Sequence, residues 1–189
     1  MAWRGKGPWL AIALLAACLG GACFAAEIDA AASSAGFTLQ TRWGQALDGR
    51  FPTLRGQIDD LGDGRHRVRL LLMTGDVEIV GHPGYTRFAR GRGFFDARRW
   101  PQVEFLSDPY GPELLRDGGE LGGILGIRGR QQRGRFRIEP SGCDRPARAC
   151  DVVASGSIQR DAYGMDRWRI AVRDEVRFRL RLRLQGAHP

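Results

Sequence analysis

The residues best suited to acid–base or metal chemistry in this chain are three histidines, at positions 66, 82 and 188. An imidazole titrates near neutral pH and is a common metal ligand. Only His82 lies in a loop where such chemistry is plausible, and no cysteine or paired acid is close to it in sequence. The chain also contains no G-x-S-x-G, H-E-x-x-H, C-x-x-C or P-loop motif. The sequence therefore predicts a protein that is not an enzyme and that holds neither a metal nor a cofactor.

Two cysteines in the body of the chain, Cys143 and Cys150, bracket a short polar segment that contains a proline. A zinc site is disfavoured because there is no nearby histidine and no second cysteine pair. In an exported protein, two cysteines so placed form a local disulfide. We therefore expect a disulfide between Cys143 and Cys150.

The N-terminus has the features of a secretory signal. Arg4 and Lys6 precede an apolar run from Leu10 to Ala17, and small residues follow. The run is too short to span a bilayer, which requires about 20 apolar residues. We expect residues 1–25 to be a signal peptide and residues 26–189 to be one domain exported to the periplasm.

Two ways of processing this leader remain open. The small-x-small pattern Cys23-Phe24-Ala25 favours ordinary cleavage, which would leave Ala26 or Glu27 as the new terminus. The segment from Leu15 to Cys18 instead resembles the box in which the cysteine of a bacterial lipoprotein is acylated. Ordinary cleavage is preferred because an apolar run extending to Ala22 makes the better hydrophobic region.

The formal net charge is +8, and Lys6 is the only lysine. The chain also lacks asparagine. Lysine and asparagine both have A-rich codons, so a GC-rich genome explains both features. The excess of arginine is therefore weak evidence for an acidic partner.

Alternation of apolar and polar residues is the dominant pattern of the chain. In the segment Val176–Leu184, apolar residues occupy the even positions and four arginines the odd ones. This period is typical of a strand with one buried face, and a slip of one residue would bury all four arginines. The same pattern recurs in several shorter segments: 37–40, 66–72, 102–106, 134–138 and 155–159.

These strands are separated by turns rich in Gly, Asp and Pro, and only Gly81–Arg90 is a plausible helix. Many short strands with almost no helix indicate an all-β sandwich or barrel. The arginine face near the C-terminus is interpreted as solvated. It carries no aromatic side chain for stacking on bases, so no nucleic-acid partner is expected.

Large rings are concentrated in the segment from Gly93 to Phe105. Phe94 and Phe95 precede a turn, and Val103 and Phe105 then point the same way under strand alternation. Such rings can close one end of a barrel or form the lip of its cavity. We expect a rigid corner, since each ring buries roughly 150 to 250 Å².

Several fragments of the chain, taken in order, resemble the YceI-like family of bacterial periplasmic proteins, and the resemblance extends from about Ile28 to Leu184. The fragments are 33–37, 49–51, 54–56, 94–96, 100–107, 125–129, 158–165 and 174–176. The resemblance implies a lipocalin-like antiparallel β-barrel of about eight strands with one short helix. It also implies an extended apolar tunnel that holds a long-chain isoprenoid or similar lipid, and no catalytic residues.

Alternation and the resemblance together define a set of candidate ligand-binding residues. Alternation alone favours a packed core, whereas small residues such as Gly123 and Gly156 leave room for a cavity. Arg160 and Tyr163 form either a polar contact at the tunnel mouth or a structural corner in which Arg160 bonds backbone carbonyls. The candidates are Phe37, Leu39, Phe51, Phe94, Val103, Phe105, Leu125, Ile127, Ile158, Arg160, Tyr163, Phe178 and Leu180.

The function predicted from the sequence is that of a periplasmic carrier or sequestering protein for a long-chain lipid or isoprenoid, with transient membrane contact and a homodimer as further expectations. The alternative is a non-catalytic interaction module. In that case the barrel would be packed, and its arginine face would dock on a membrane or an acidic partner.

Overall fold

The computed structural model describes residues 25–186. The predicted signal peptide, apart from its last residue Ala25, lies outside the described residues. The same is true of Cys18, the possible acylation site, and of His188.

Eleven strands form one antiparallel sheet. Their order across the sheet is β1-β4-β5-β7-β8-β9-β10-β11-β2-β3-β6. The strands are β1 (Ala25–Glu27), β2 (Ser34–Thr41), β3 (Ala46–Arg50), β4 (Leu54–Asp60), β5 (His66–Met73), β6 (Glu78–Ile79), β7 (Gln102–Ser107), β8 (Gly119–Ile127), β9 (Arg130–Ile138), β10 (Val152–Gln159) and β11 (Val172–Leu182).

The helices are short. Helix α1 (Pro83–Arg90) lies within the predicted helical segment, and α2 (Glu113–Asp117) is a single further turn. Two 3₁₀ turns, Thr74–Asp76 and Asp161–Tyr163, are the remaining regular elements of residues 25–186. None of the helices between residues 25 and 186 has the length and apolar character needed to cross a membrane.

The sheet curls around one hydrophobic core. Just after β1, the amide of Ile28 donates to the carbonyl of Gly56 in β4, at 2.8 Å. The next amide, that of Asp29, donates to the carbonyl of Arg183 beyond the end of β11, also at 2.8 Å. The segment after β1 therefore joins β4 to the end of β11, and the predicted all-β antiparallel architecture is confirmed.

The strand count is eleven, and the expectation of about eight was too low. Strands β1 and β6 contain only three and two residues, too few to show alternation. In β3 and β4 an inward position is glycine, which removes an apolar residue from the pattern. A Cβ at Gly49 would overlap the ring of Phe37, and one at Gly56 would lie 2.7 Å from Cδ1 of Ile28. Neighbouring side chains fill the space at these positions. Because glycine itself has no side chain, the alternation of apolar and polar residues is interrupted in the sequence.

Strand β11 follows the predicted alternation. It lies between β10 and β2, with Val176, Phe178 and Leu180 buried and the intervening arginines exposed. Those arginines lie beside carboxylates: Arg177 is 3.1 Å from Glu175, and Arg179 is 3.4 Å from Glu139. The arginine face is therefore solvated and partly neutralised.

Aromatic rings fill the space beside the glycines at the middle of the core. The rings of Phe105 and Phe136 pack edge to face with centroids 4.8 Å apart. A Cβ at Gly123 would lie 2.6 Å from the Phe105 ring, and one at Gly156 would lie 2.9 Å from the Phe136 ring. The room left by these two glycines is thus occupied by the protein's own side chains.

The predicted disulfide between Cys143 and Cys150 is present, with their Cα atoms 6.2 Å apart. Within the loop that it closes, the carbonyl of Ala147 accepts a hydrogen bond from the amide of Leu184, at 2.8 Å. This loop therefore attaches to the chain just beyond β11. By the chain-entropy account, so short a closed loop contributes about 2 to 3 kcal/mol to stability.

Candidate functional site

An apolar cavity of about 260 Å³ lies at one end of the curled sheet. It is enclosed by β2, β3, the ends of β10 and β11, helix α1 and the segment 160–172. Apart from Thr41 and Arg160, the lining side chains are apolar or aromatic. They are Phe37, Leu39, Thr41, Trp43, Leu47, Ile79, Tyr85, Phe88, Ala89, Phe94, Phe95, Ile158, Arg160, Met165, Trp168, Ala171, Val172, Val176 and Phe178.

The inner wall of the cavity is a cluster of phenylalanine rings. Phe37 lies at the centre, with centroid distances of 5.5 Å to Phe51 and 6.1 Å to both Phe95 and Phe178. Phe51 and Phe95 are 5.5 Å apart. Phe37 and Phe178 are paired across β2 and β11, so the wall forms where these neighbouring strands meet the segment after α1.

Arg160 is a charged residue on the cavity wall, and only 1% of it is exposed. Its guanidinium donates to the carbonyls of Met165 at 2.8 Å and Arg173 at 3.0 Å, with longer contacts to two further carbonyls of the same segment. It also lies 5.2 Å from the ring centroid of Phe94. Burial lowers the pKa of Arg160, opposed by the nearby carboxylate of Asp174.

These contacts give Arg160 a structural role, because they hold the segment between β10 and β11 against the cavity. Tyr163, on the 3₁₀ turn of that segment, is 2% exposed and does not line the cavity. Its burial raises the pKa of its phenol, so it stays neutral. A direct contact of either side chain with a ligand stays a prediction.

The mouth of the cavity carries exposed aromatic side chains. Trp43 is 67% exposed, Phe88 54% and Trp168 51%. Phe88 and Trp168 meet edge to face, with centroids 5.6 Å apart. These residues were not predicted from the sequence because they lie in turns and on a short helix. The signal was large aromatic residues in segments that otherwise have the composition of polar turns.

Six of the residues predicted to bind a ligand lie on the cavity wall: Phe37, Leu39, Phe94, Ile158, Arg160 and Phe178. The other candidates lie elsewhere in the interior. Phe51 lies behind Phe37, and Ile127 and Tyr163 are buried away from the cavity. The remaining four surround a deeper void and are Val103, Phe105, Leu125 and Leu180.

Two smaller voids continue the interior beyond the cavity. The first, of about 20 Å³, shares Phe178 with the cavity. The second, of about 50 Å³, shares Phe105 and Phe136 with the first and lies at the opposite end, beside Ala147. Tyr110 lines that far void, and burial raises its pKa to about 12. In place of the predicted continuous tunnel, the described residues enclose three separate spaces.

The histidines that were considered for chemistry pack against rings. His82 stacks on Tyr85 with centroids 5.2 Å apart, and His66 lies 6.1 Å from Tyr110. Across residues 25–186, no group of three or more His, Cys, Asp or Glu side chains is arranged to hold a metal ion.

Comparison with solved structures shows the same fold in several bacterial proteins. BcnA of Burkholderia cenocepacia superposes with a TM-score of 0.64 at 20% identity, covering 82% of this chain and 98% of that one. A polyisoprenoid binding domain from Saccharophagus degradans, described as implicated in plant cell wall breakdown, gives 0.62 at 14% identity and covers 82% and 95%. The YCEI protein of Campylobacter jejuni gives 0.52 at 15% identity and covers 73% and 84%.

A search of curated proteins found no match. The model of the YceI-like domain, however, matches residues 27–184, which include all strands after β1. The predicted family resemblance and the lipocalin-like fold are therefore confirmed. The chain belongs to the YceI-like domain family.

Proposed function

We propose that this protein is a non-catalytic carrier or sequestering protein of the periplasm that binds a long-chain hydrophobic ligand, either a polyisoprenoid or a fatty-acid-like lipid. The observation that carries the proposal is the apolar, ring-walled cavity that opens between exposed aromatic side chains. The structural neighbour described as a polyisoprenoid binding domain supports this class of ligand. The disulfide and the leader sequence support an oxidising, exported location.

Affinity in such a site comes from the burial of apolar area, at roughly 25 cal/mol per Å² before the cost of ordering the ligand. The cavity of about 260 Å³ is near the lower limit of typical ligand pockets, roughly 300 to 1,000 Å³. It accommodates one end of a long chain. Phe178 separates this cavity from the next void, so a longer tail would have to displace its ring.

The placement of polar groups explains why binding would depend on shape more than on hydrogen bonds. The Arg160 guanidinium is engaged by backbone carbonyls, and the hydroxyl of Thr41 accepts a hydrogen bond from the Gln45 amide at 3.0 Å. Few polar groups therefore remain to recognise a head group inside the cavity.

The alternative function, docking through the arginine face of β11, receives less support. Arg181 and Arg183 lie 3.7 Å and 2.6 Å from Asp151, and the two preceding arginines are also beside carboxylates. These acids reduce the positive potential that an acidic partner would recognise.

The test is organic extraction of the purified, signal-processed protein, followed by mass spectrometry. We expect a co-purifying lipid with a long apolar chain, at close to one molecule per protein. If extraction yields no lipid, and neither a polyprenol nor a long-chain fatty acid binds when added to the extracted protein, the carrier function is wrong.

A further inference from the structure

We propose that the rim of the cavity is a membrane-docking surface that places the cavity mouth on an anionic phospholipid bilayer. The rim is defined here as Trp43, Val80, Tyr85, Phe88, Trp168 and Ile170. The inference rests on the proposed function only in that the cavity is taken to receive a lipid. The docking surface itself is argued from exposure and charge.

The large hydrophobic side chains that are exposed in residues 25–186 all belong to this rim. They lie in the turn after β2, in helix α1 and the residues just before it, and in the segment before β11. Ile170 at the tip of that last segment is 93% exposed. A hydrogen bond from Arg42 Nε to the Arg169 carbonyl, at 3.0 Å, holds two of the three segments together. Apolar surface gathered in this way marks an interaction site.

Arginines adjoin the rim through α1. One face of this helix presents Tyr85, Phe88 and Ala89 to the cavity, while Arg87 and Arg90 line a shallow groove beside it. The groove also contains three more arginines and a single acid. The full groove cluster is Arg87, Arg90, Arg92, Arg98, Arg99 and Asp96.

The groove arginines, unlike those of β11, do not form ion pairs with carboxylates in the described part of the chain. Among the ion pairs of the described part of the chain, none includes Arg87, Arg90, Arg92, Arg98 or Arg99. The groove also adjoins the rim. Gly93 directly follows the groove residue Arg92, and a Cβ on Gly93 would lie 3.3 Å from Nε1 of Trp168. Five arginines that form no ion pair in the described part of the chain, against the single carboxylate of Asp96, therefore lie next to the exposed rings.

Exposed apolar side chains beside such arginines match a bilayer surface, in which a layer of charged head groups covers an apolar interior. Tryptophan and other large apolar side chains partition into the interfacial region, where the indole N–H still finds polar partners. Arginines at the same level contact lipid phosphates and are attracted by anionic leaflets. In this orientation a lipid tail passes from the bilayer into the cavity without crossing water.

The experiment is co-sedimentation of the full mature protein with phosphatidylcholine vesicles that either contain or lack phosphatidylglycerol. We expect binding to the anionic vesicles that weakens as salt is raised. Ile170→Glu, which alters the rim but not the cavity wall, should lower the partition coefficient at least tenfold. Arg87→Gln with Arg98→Gln should lower it about fivefold per arginine.

The matched control is Arg177→Gln with Arg179→Gln, which removes the same charge from the outer face of β11 and should leave vesicle binding unchanged. Equal binding to both kinds of vesicle, or wild-type binding by Ile170→Glu, would overturn the proposal. A wild-type dimer that Ile170→Glu converts to a monomer would also overturn it, because the rim would then be a subunit interface.

Lipid extraction of the same preparations separates this inference from the proposed function. Ile170→Glu should keep its co-purifying lipid while losing vesicle binding. A wild-type protein that carries lipid but ignores anionic vesicles would end the docking proposal and leave the carrier function intact. A protein that binds anionic vesicles but neither contains nor takes up lipid would end the carrier function and leave the docking proposal intact.

Discussion

At the scale of single residues, Arg160 shows how a charged side chain can belong to an apolar site. The sequence left two interpretations open, a ligand contact and a structural corner. The structure connects its guanidinium to the carbonyls of Met165, Arg167 and Arg173, in the turn before β11 and at the start of that strand. A sequence does not reveal such partners, because they depend on how an irregular segment folds back.

Arg160→Met should destabilise the protein by about 3 kcal/mol or more. The change leaves buried carbonyls without donors, and each such group costs roughly 1 to 3 kcal/mol. Urea unfolding measures the loss, and hydrogen exchange should show faster opening of residues 165–173. Arg179→Met, on the exposed face of β11, is the control. A loss below about 1 kcal/mol for Arg160→Met would contradict the structural role of this residue.

At the scale of elements, β11 was predictable almost completely. Its central even positions, Val176, Phe178 and Leu180, are buried and its odd positions are exposed, as the alternation required. Strands β3 and β4 were less predictable, because each has a glycine at an inward position where alternation requires an apolar side chain. The side chains of Phe37 and Ile28 occupy the space beside these glycines. Alternation also shows which face of the sheet a side chain occupies, but not its position along the axis of the barrel. For that reason Phe105 and Leu180 were grouped with Phe37 as candidate ligand-binding residues, although they lie around a deeper void than Phe37 does.

Adjacent residues of β11 give a matched pair of variants. Phe178→Arg should abolish lipid binding and lower the free energy of unfolding by about 3 to 5 kcal/mol, because it buries an unpaired charge at the cavity wall. Arg179→Gln removes one exposed ion pair, worth about 0 to 1 kcal/mol, and should leave lipid content unchanged. Lipid extraction and urea unfolding measure both effects.

Phe178→Leu is a second variant that tests the same site if Phe178→Arg fails to fold. It keeps the wall apolar but smaller, and should retain a lipid. If Arg179→Gln lost its lipid as readily as Phe178→Arg, the binding site would be on the outer face of the sheet.

At the scale of the whole molecule, the sequence predicted one exported all-β domain, its family and its disulfide. It did not predict the size of the cavity, because void volume is the small remainder after all side chains have packed. The aromatic mouth was missed because Trp43 and Trp168 are far apart in sequence and become neighbours only when β2 pairs with β11.

Removal of the lipid should lower the Tm of the intact protein, since a ligand that binds only the folded state stabilises it. The effect is about 2.7 kcal/mol when free ligand is at about 100 times its Kd. Calorimetry before extraction, after extraction and after adding the lipid back tests this. Phe178→Arg should show no recovery on adding lipid. An extracted wild-type protein with an unchanged Tm would contradict binding inside the fold.

The three interior spaces lie in series, with Phe178 between the first and second and the Phe105–Phe136 pair between the second and third. A tail entering from the mouth must swing these partitions aside one after the other. Because the two deeper spaces measure only about 20 and 50 Å³, each isoprene or ethylene unit beyond the first cavity would have to displace core side chains and would add little affinity. The fold would thus hold the end of a long guest and leave the rest of it outside.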